Sequence, residues 1–149
     1  MVLVLAVAAS GCDVLSIQDS AREQYEQALD RWKLTRPEAY IATMERICFC
    51  SPEAKGPVQV TVQGNTVVSR VYELSGESVP AEFADGFPTI DGLFKIIKDA
   101  LDDGYDDMDA FYDPATGVPF NFWIDYDRNV QDEEVGFNVD VPLGSPSGS

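Results

Sequence analysis

The sequence predicts an α+β fold, a single domain in which one antiparallel sheet of about six strands carries two helices packed on one face. Three observations predict it. The elements run helix, three strands, helix, three strands. The strands are joined by tight turns and loops rather than by helical crossovers, as antiparallel pairing requires. Several strands alternate apolar and polar residues, the pattern of a sheet with one covered face.

Each element has its own signal. From Ser20 the spacing turns helical: Ser20 with Glu23 reads as a capping box, and Ala21, Tyr25, Ala28, Leu29 and Trp32 recur along one face until Pro37 ends the element. Glu38 to Cys50 reads as a strand with neither face cleanly polar, and Ser51 to Gly56 as a loop. Val58, Val60 and Val62 then alternate up to Gly64-Asn65, a two-residue turn of the primed kind, and Val67 and Val71 answer across it. Leu74 to Pro88 is turn-rich and acidic. Thr89 caps a second helix with Ile90, Leu93, Phe94, Ile97, Ala100 and Leu101 as its apolar stripe, closed by Gly104. Met108 to Tyr112 and Phe120 to Tyr126 read as strands about the turn Asp113 to Gly117. The loop Asp127 to Glu134 leads to a last alternating strand through Val141. The domain is thus expected over residues 20–142, with 143–149 a frayed Gly/Pro/Ser tail. No internal repeat is visible.

The amino-terminal run Leu3 to Ala8 is apolar and uncharged, and it closes on Ala9-Ser10-Gly11-Cys12, which resembles the lipobox of a bacterial lipoprotein signal. Residues 1–11 are then a cleaved signal, Cys12 is lipidated, palmitate included, and 12–19 are a tether of at most ~25 Å. The alternative is a short buried strand. No Lys or Arg precedes the run, so this reading expects a start upstream of Met1. The run is far short of the ~20 residues a spanning helix needs. Asp13 after the cysteine resembles the signal that keeps lipoproteins at the inner membrane of some Gram-negative bacteria. The expected location is the cell envelope, outside the cytoplasm.

Charge narrows the partners. With 26 acidic and 10 basic residues the net charge is −16. Such a surface repels nucleic acid and anionic lipid head groups, so contact with the membrane is expected through the lipid on Cys12, and the remaining partner is a protein or a small ligand. The chain contains no histidine, which removes the usual general base and the usual nitrogen ligand for metals. Gly76-Glu77-Ser78-Val79-Pro80 lacks the second glycine of a nucleophile elbow, no phosphate-cradling loop is present, and no catalytic residue is assigned. A carboxylate-based hydrolase is the enzymatic alternative, although nothing marks a pair of acids.

Three further features are candidate sites. Cys48 and Cys50 stand two apart: a disulfide there needs a bend at Phe49, because a regular strand holds such residues too far apart. Two reduced thiols or a cuprous ion are the other readings. Asp125, Asp127 and Asn129, with Asp132 nearby, have the oxygen-ligand spacing of a calcium loop. Val130 and Gly136 occupy the places of the turn glycine and the bidentate glutamate, so it is not an EF-hand. No cofactor is expected, with calcium at this loop as the alternative. Trp123, opposite Phe122 and Ile124, is either a patch for a partner or packs beneath a loop or helix.

Finally, Trp32 and Tyr40, Arg46-Ile47-Cys48-Phe49-Cys50, Phe87-Pro88-Thr89-Ile90-Asp91-Gly92-Leu93-Phe94, Tyr112-Asp113-Pro114, Ile124-Asp125-Tyr126-Asp127 and Asp132-Glu133-Glu134-Val135-Gly136-Phe137 together resemble a bacterial family, DUF6174, a domain of unknown function. The resemblance covers about residues 22 to 141. It implies a small exported domain, often a lipoprotein, and supplies no activity. The whole reading is a membrane-anchored extracytoplasmic module that binds rather than catalyses, with a calcium-dependent module as its first alternative.

Overall fold

The computed structural model describes residues 13–142, of which 13–16 by backbone alone. Residues 1–11, Cys12 and the tail 143–149 lie outside the described residues. Helix α1 spans Asp13–Thr35, followed by β1 Ala39–Ile47, the single turn α2 Pro52–Lys55, β2 Val58–Gln63, β3 Thr66–Tyr72, a second single turn α3 Ala81–Ala84, α4 Ile90–Asp103, β4 Asp107–Tyr112, β5 Pro119–Asp125 and β6 Glu134–Asp140. All six strands form one antiparallel sheet in the order β3-β2-β1-β6-β5-β4. The chain therefore starts in the middle, steps out to β3, crosses through α3 and α4 to the opposite edge, and steps back until its last strand pairs with its first.

One face of that sheet is covered. Ala42 and Met44 of β1, Val58, Val60 and Val62 of β2, Phe122 and Ile124 of β5, and Phe137 and Val139 of β6 point into the core. They meet Tyr25, Ala28 and Trp32 of α1 and Ile90, Leu93, Phe94, Ile97 and Ala100 of α4. Aromatic contacts tie the layers together: Trp32 stands edge-on to Tyr40 at 5.5 Å, and Phe94 stacks on Tyr112 at 6.2 Å. The α+β class, the six strands and the two long helices are as the sequence predicts.

The helix starts differ from expectation in one place. The segment 13–19, expected as a tether, is the first part of α1. No Pro or Gly interrupts the chain between Gly11 and Pro37, so once nucleated the helix propagates back past Ser20. Ser20 and Glu23 accordingly do not form a cap: their side chains accept hydrogen bonds from Gln24 and Gln27, each one helical turn on, at 3.2 and 3.1 Å. The first strand stops at Ile47, short of Cys50, and the Ser51–Gly56 and Leu74–Pro88 segments each contain a helical turn. The Gly64-Asn65 turn forms as read, with both residues at positive φ, 54° and 67°.

Burial also shapes the titration of the core. Desolvation pushes the Tyr112 phenol well above its usual value, with a smaller push from Tyr25. A phenol whose folded-state pKa lies above the unfolded ~10 contributes stability that is complete below pH ~10 and is lost as pH rises toward the folded value, because the unfolded chain sheds the proton first. Urea midpoints are therefore expected to fall between pH 9 and pH 12, and Tyr112→Phe to flatten that fall. A parallel decline in the variant would place the loss elsewhere.

Candidate functional site

The most specific stretch of the sequence turns out to be a docking device. Thr89 caps α4 through Gly92 N, which donates to its Oγ1 at 3.0 Å. Ile90 N donates to the Tyr40 hydroxyl at 3.0 Å. Asp91, in the first turn where a carboxylate suits the helix dipole, receives Arg36 Nη1 at 2.9 Å on one oxygen and Trp32 Nε1 at 3.4 Å on the other. Trp32, Tyr40 and the Pro-Thr-Ile-Asp-Gly phrase are thus one junction that fixes the start of α4 against α1 and β1. Tyr112-Asp113-Pro114 is structural as well: Asp113 Oδ1 accepts from Ala115 N, Thr116 N and Thr116 Oγ1 at 2.7 to 2.9 Å. These bonds, the Thr116 amide foremost, hold its carboxyl below the usual carboxylate range.

The residues of the candidate calcium loop are dispersed among other duties. Asp127 Oδ1 accepts from both the backbone and the side-chain nitrogen of Asn129, at 2.9 and 3.0 Å, so Asn129 turns a donor toward the carboxylate. The same bonds, the backbone amide first, lower the Asp127 pKa. Asp132 is exposed, at φ 79°. Asp125 is 7% exposed on the uncovered face of β5, and its Oδ1 has no hydrogen-bond partner. Its neighbours across the sheet are Asp107 and Glu134. Arg128 spans the gap to β4, its backbone N on Asp106 Oδ2 at 3.0 Å and its guanidinium 3.7 Å from Asp107. Among the described residues no group of three or more Asp, Glu, Cys or His side chains is placed to hold a metal ion.

Cys48 and Cys50 are joined by a disulfide with a Cα–Cα distance of 5.3 Å. The chain bends at Cys48 and Phe49, just past the end of β1, and Phe49 is thrown fully into solvent at 105% exposure. Trp123 lies on the sheet face without helices, half-buried, and its ring crosses Gly136, the residue opposite it on β6. A Cβ at Gly136 would come within 3.2 Å of Trp123 Cδ1 and 3.0 Å of Ile47 Cβ. Gly136, with no side chain of its own, leaves the space beside Trp123 that the ring fills.

What sequence reasoning missed lies along β4. The two sheet edges are unlike. On β3, Tyr72 N donates to Glu77 O and Val79 N to Arg70 O, so the segment 77–79 closes part of that edge. Among the described residues no backbone pairs with the outer edge of β4. Beside it runs α1, separated from the strand by a cavity of about 370 Å³ between Ile17, Ala21 and Gln24 on the helix and Met108, Ala110 and Tyr112 on the strand. A second cavity, of about 330 Å³, continues it past Gln27 and Arg31 toward Phe120. The two share Gln24, Ala110, Phe111 and Tyr112, and together they form one trough beside Met108 to Tyr112. Its sequence signal is Asp107-Met108-Asp109, since alternating charge on a short strand is a common mark of a sheet edge.

These features define a class: a single-sheet α+β domain with helices on one face and an open trough between its first helix and one bare edge. The family is shown directly. The model of DUF6174, a family of unknown function, matches residues 24–141, and the chain belongs to that family. No curated protein and no solved structure matches it. No helix among the described residues is long and apolar enough to cross a membrane.

Proposed function

We propose that this chain is a bacterial envelope lipoprotein, anchored outside the cytoplasm through acylated Cys12, that works by holding a partner rather than by catalysis. The observation that carries the binding half of this reading is the trough along β4: an apolar-floored cleft beside unpaired backbone suits an extended ligand. The carboxylates with the most hydrogen bonds, Asp91, Asp113 and Asp127, are committed to a helix junction, a turn and a loop, which leaves them no part in the two facing acids of a hydrolase. The calcium alternative needs Asp127 and Asn129 to share a cation, and here they bond to each other.

The anchoring half rests on Ala9-Ser10-Gly11-Cys12. The Cys48–Cys50 disulfide supports an oxidising compartment, and the net charge of −16 supports a domain that stands away from anionic head groups. Intact-mass measurement of protein extracted from its native envelope is expected to give a chain that begins at Cys12 and carries acyl groups. Cys12→Ala should leave the chain unprocessed. An unmodified thiol at Cys12 on a chain still starting at Met1 would refute the anchor.

A further inference from the structure

We propose that the outer edge of β4 takes up an extended peptide from another protein as a seventh, antiparallel strand, and that this peptide alternates apolar and basic side chains. The inference rests on the binding reading above and names its ligand.

Strand addition needs an edge with free backbone groups, and β4 is the edge that no described segment closes. The added strand would lie in the trough, with α1 as its second wall. Three of the large apolar side chains exposed on this protein gather there: Ile17 at 67%, Phe111 at 52% and Phe120 at 46%, the two phenylalanine rings 6.4 Å apart. Apolar side chains left in water around one groove are the usual mark of an interaction surface.

Alternation along β4 sets the preference for charge. Met108, Ala110 and Tyr112 face the side covered by helices, and Asp107, Asp109 and Phe111 face the other. In an antiparallel pair, side chains directly opposite each other stand ~5 Å apart and couple strongly when oppositely charged. A peptide in this position meets the Asp109 carboxylate, an aromatic ring at Phe111 and, at Asp107, a carboxylate that the Arg128 guanidinium already approaches to 3.7 Å. Its inward places drop into the cavity lined by Ile17, Ala21 and Gln24. The fitting pattern is therefore apolar inward throughout, with Lys or Arg opposite Asp109 and Asp107.

The same carboxylates argue against a second copy of this chain. Two β4 edges brought together antiparallel would set Asp107 and Asp109 of each against acids or apolar residues of the other, on bodies that each carry −16. Charge on an edge strand is a common device against self-pairing, and here it doubles as a selector for a basic partner.

The test uses the full chain and the synthetic hexapeptide acetyl-Val-Tyr-Val-Lys-Val-Lys-amide, read by fluorescence anisotropy and by amide hydrogen exchange. The Lys peptide is expected to bind at least about tenfold tighter than its Glu-for-Lys counterpart at low salt, to weaken as salt rises, and to slow exchange within 107–112. The double substitution Asp107→Lys with Asp109→Lys lies on exposed positions. It should keep the far-ultraviolet spectrum and reverse the preference. N-methylation of alternate peptide amides should abolish binding, which separates strand pairing from mere charge attraction. Equal affinity for the two peptides, protection elsewhere than 107–112, or a dimer of the chain closed through β4 would overturn the proposal. Equal binding of both peptides with protection at 107–112 would overturn the charge preference alone, whereas binding of neither would overturn the binding reading with it, so the two failures are distinguishable.

Discussion

Gly117→Ala is expected to lower the unfolding free energy by about 3–5 kcal/mol, among the largest losses any single methyl can cause in this protein. Gly117 closes the turn that begins at Asp113, with its N–H donating to Asp113 O at 2.8 Å and φ at 80°. A Cβ there would strike the carbonyl of Ala28 and stand 2.9 Å from Trp32 N. Both obstacles are backbone of α1 and have no rotamer by which to retreat. The end of the same helix also ties the turn down, since Thr35 Oγ1 donates to Thr116 O at 3.1 Å. Gly64→Ala supplies the comparison: φ is also positive, 54°, but the space around it is open, so only the left-handed penalty of ~1–2 kcal/mol applies. Urea midpoints of the two variants decide the matter. Equal losses would mean that the approach of turn to helix contributes nothing.

Trp32→Ala is the second large effect, an expected loss of about 3–5 kcal/mol. Trp32 is fully buried, and it joins three elements by packing edge-on to Tyr40 and reaching Asp91. Against a total stability of ~5–15 kcal/mol, the variant approaches unfolding at ambient temperature. Trp32→Phe keeps most of the buried area and gives up the indole N–H, whose 3.4 Å bond to Asp91 is replaceable by Arg36. That variant should lose only about 1 kcal/mol beyond its lost ring volume. If the two variants fall equally in denaturant, the bond to Asp91 and not the buried ring holds the junction together.

What was legible in the sequence was local. Gly64-Asn65 between alternating valines specifies its hairpin because the turn and both strands lie within fifteen residues. Thr89 specifies the start of α4 because its hydroxyl serves an amide three residues on. The start of α1 differs for the same reason: Ser20 and Glu23 match a cap, and the only contrary local signal is the absence of Pro and Gly ahead of them. Pairing of β1 with β6 joins Thr43 to Asp140 across nearly a hundred residues, and no residue near either strand announces it. That pairing decides which strands become edges. The trough was consequently invisible, although Asp107 and Asp109 were in plain view. The Pro-Thr-Ile-Asp-Gly phrase was legible as a family word, while its purpose, seating a helix on Trp32 and Tyr40, required the third dimension.

A helix that begins at Asp13 changes what anchorage would mean. A floppy leash lets a domain tumble and sample a wide shell of solvent, whereas α1 is a post about 34 Å long at the ordinary rise per residue. With Cys12 acylated as proposed, the anchor immediately precedes the helix, and Ile17, at the near end of the trough, lies in the part of α1 closest in sequence to it. Whatever lies down beside β4 would then be recruited from polypeptide running close along the membrane surface, at an effective concentration set by that attachment rather than by the bulk compartment.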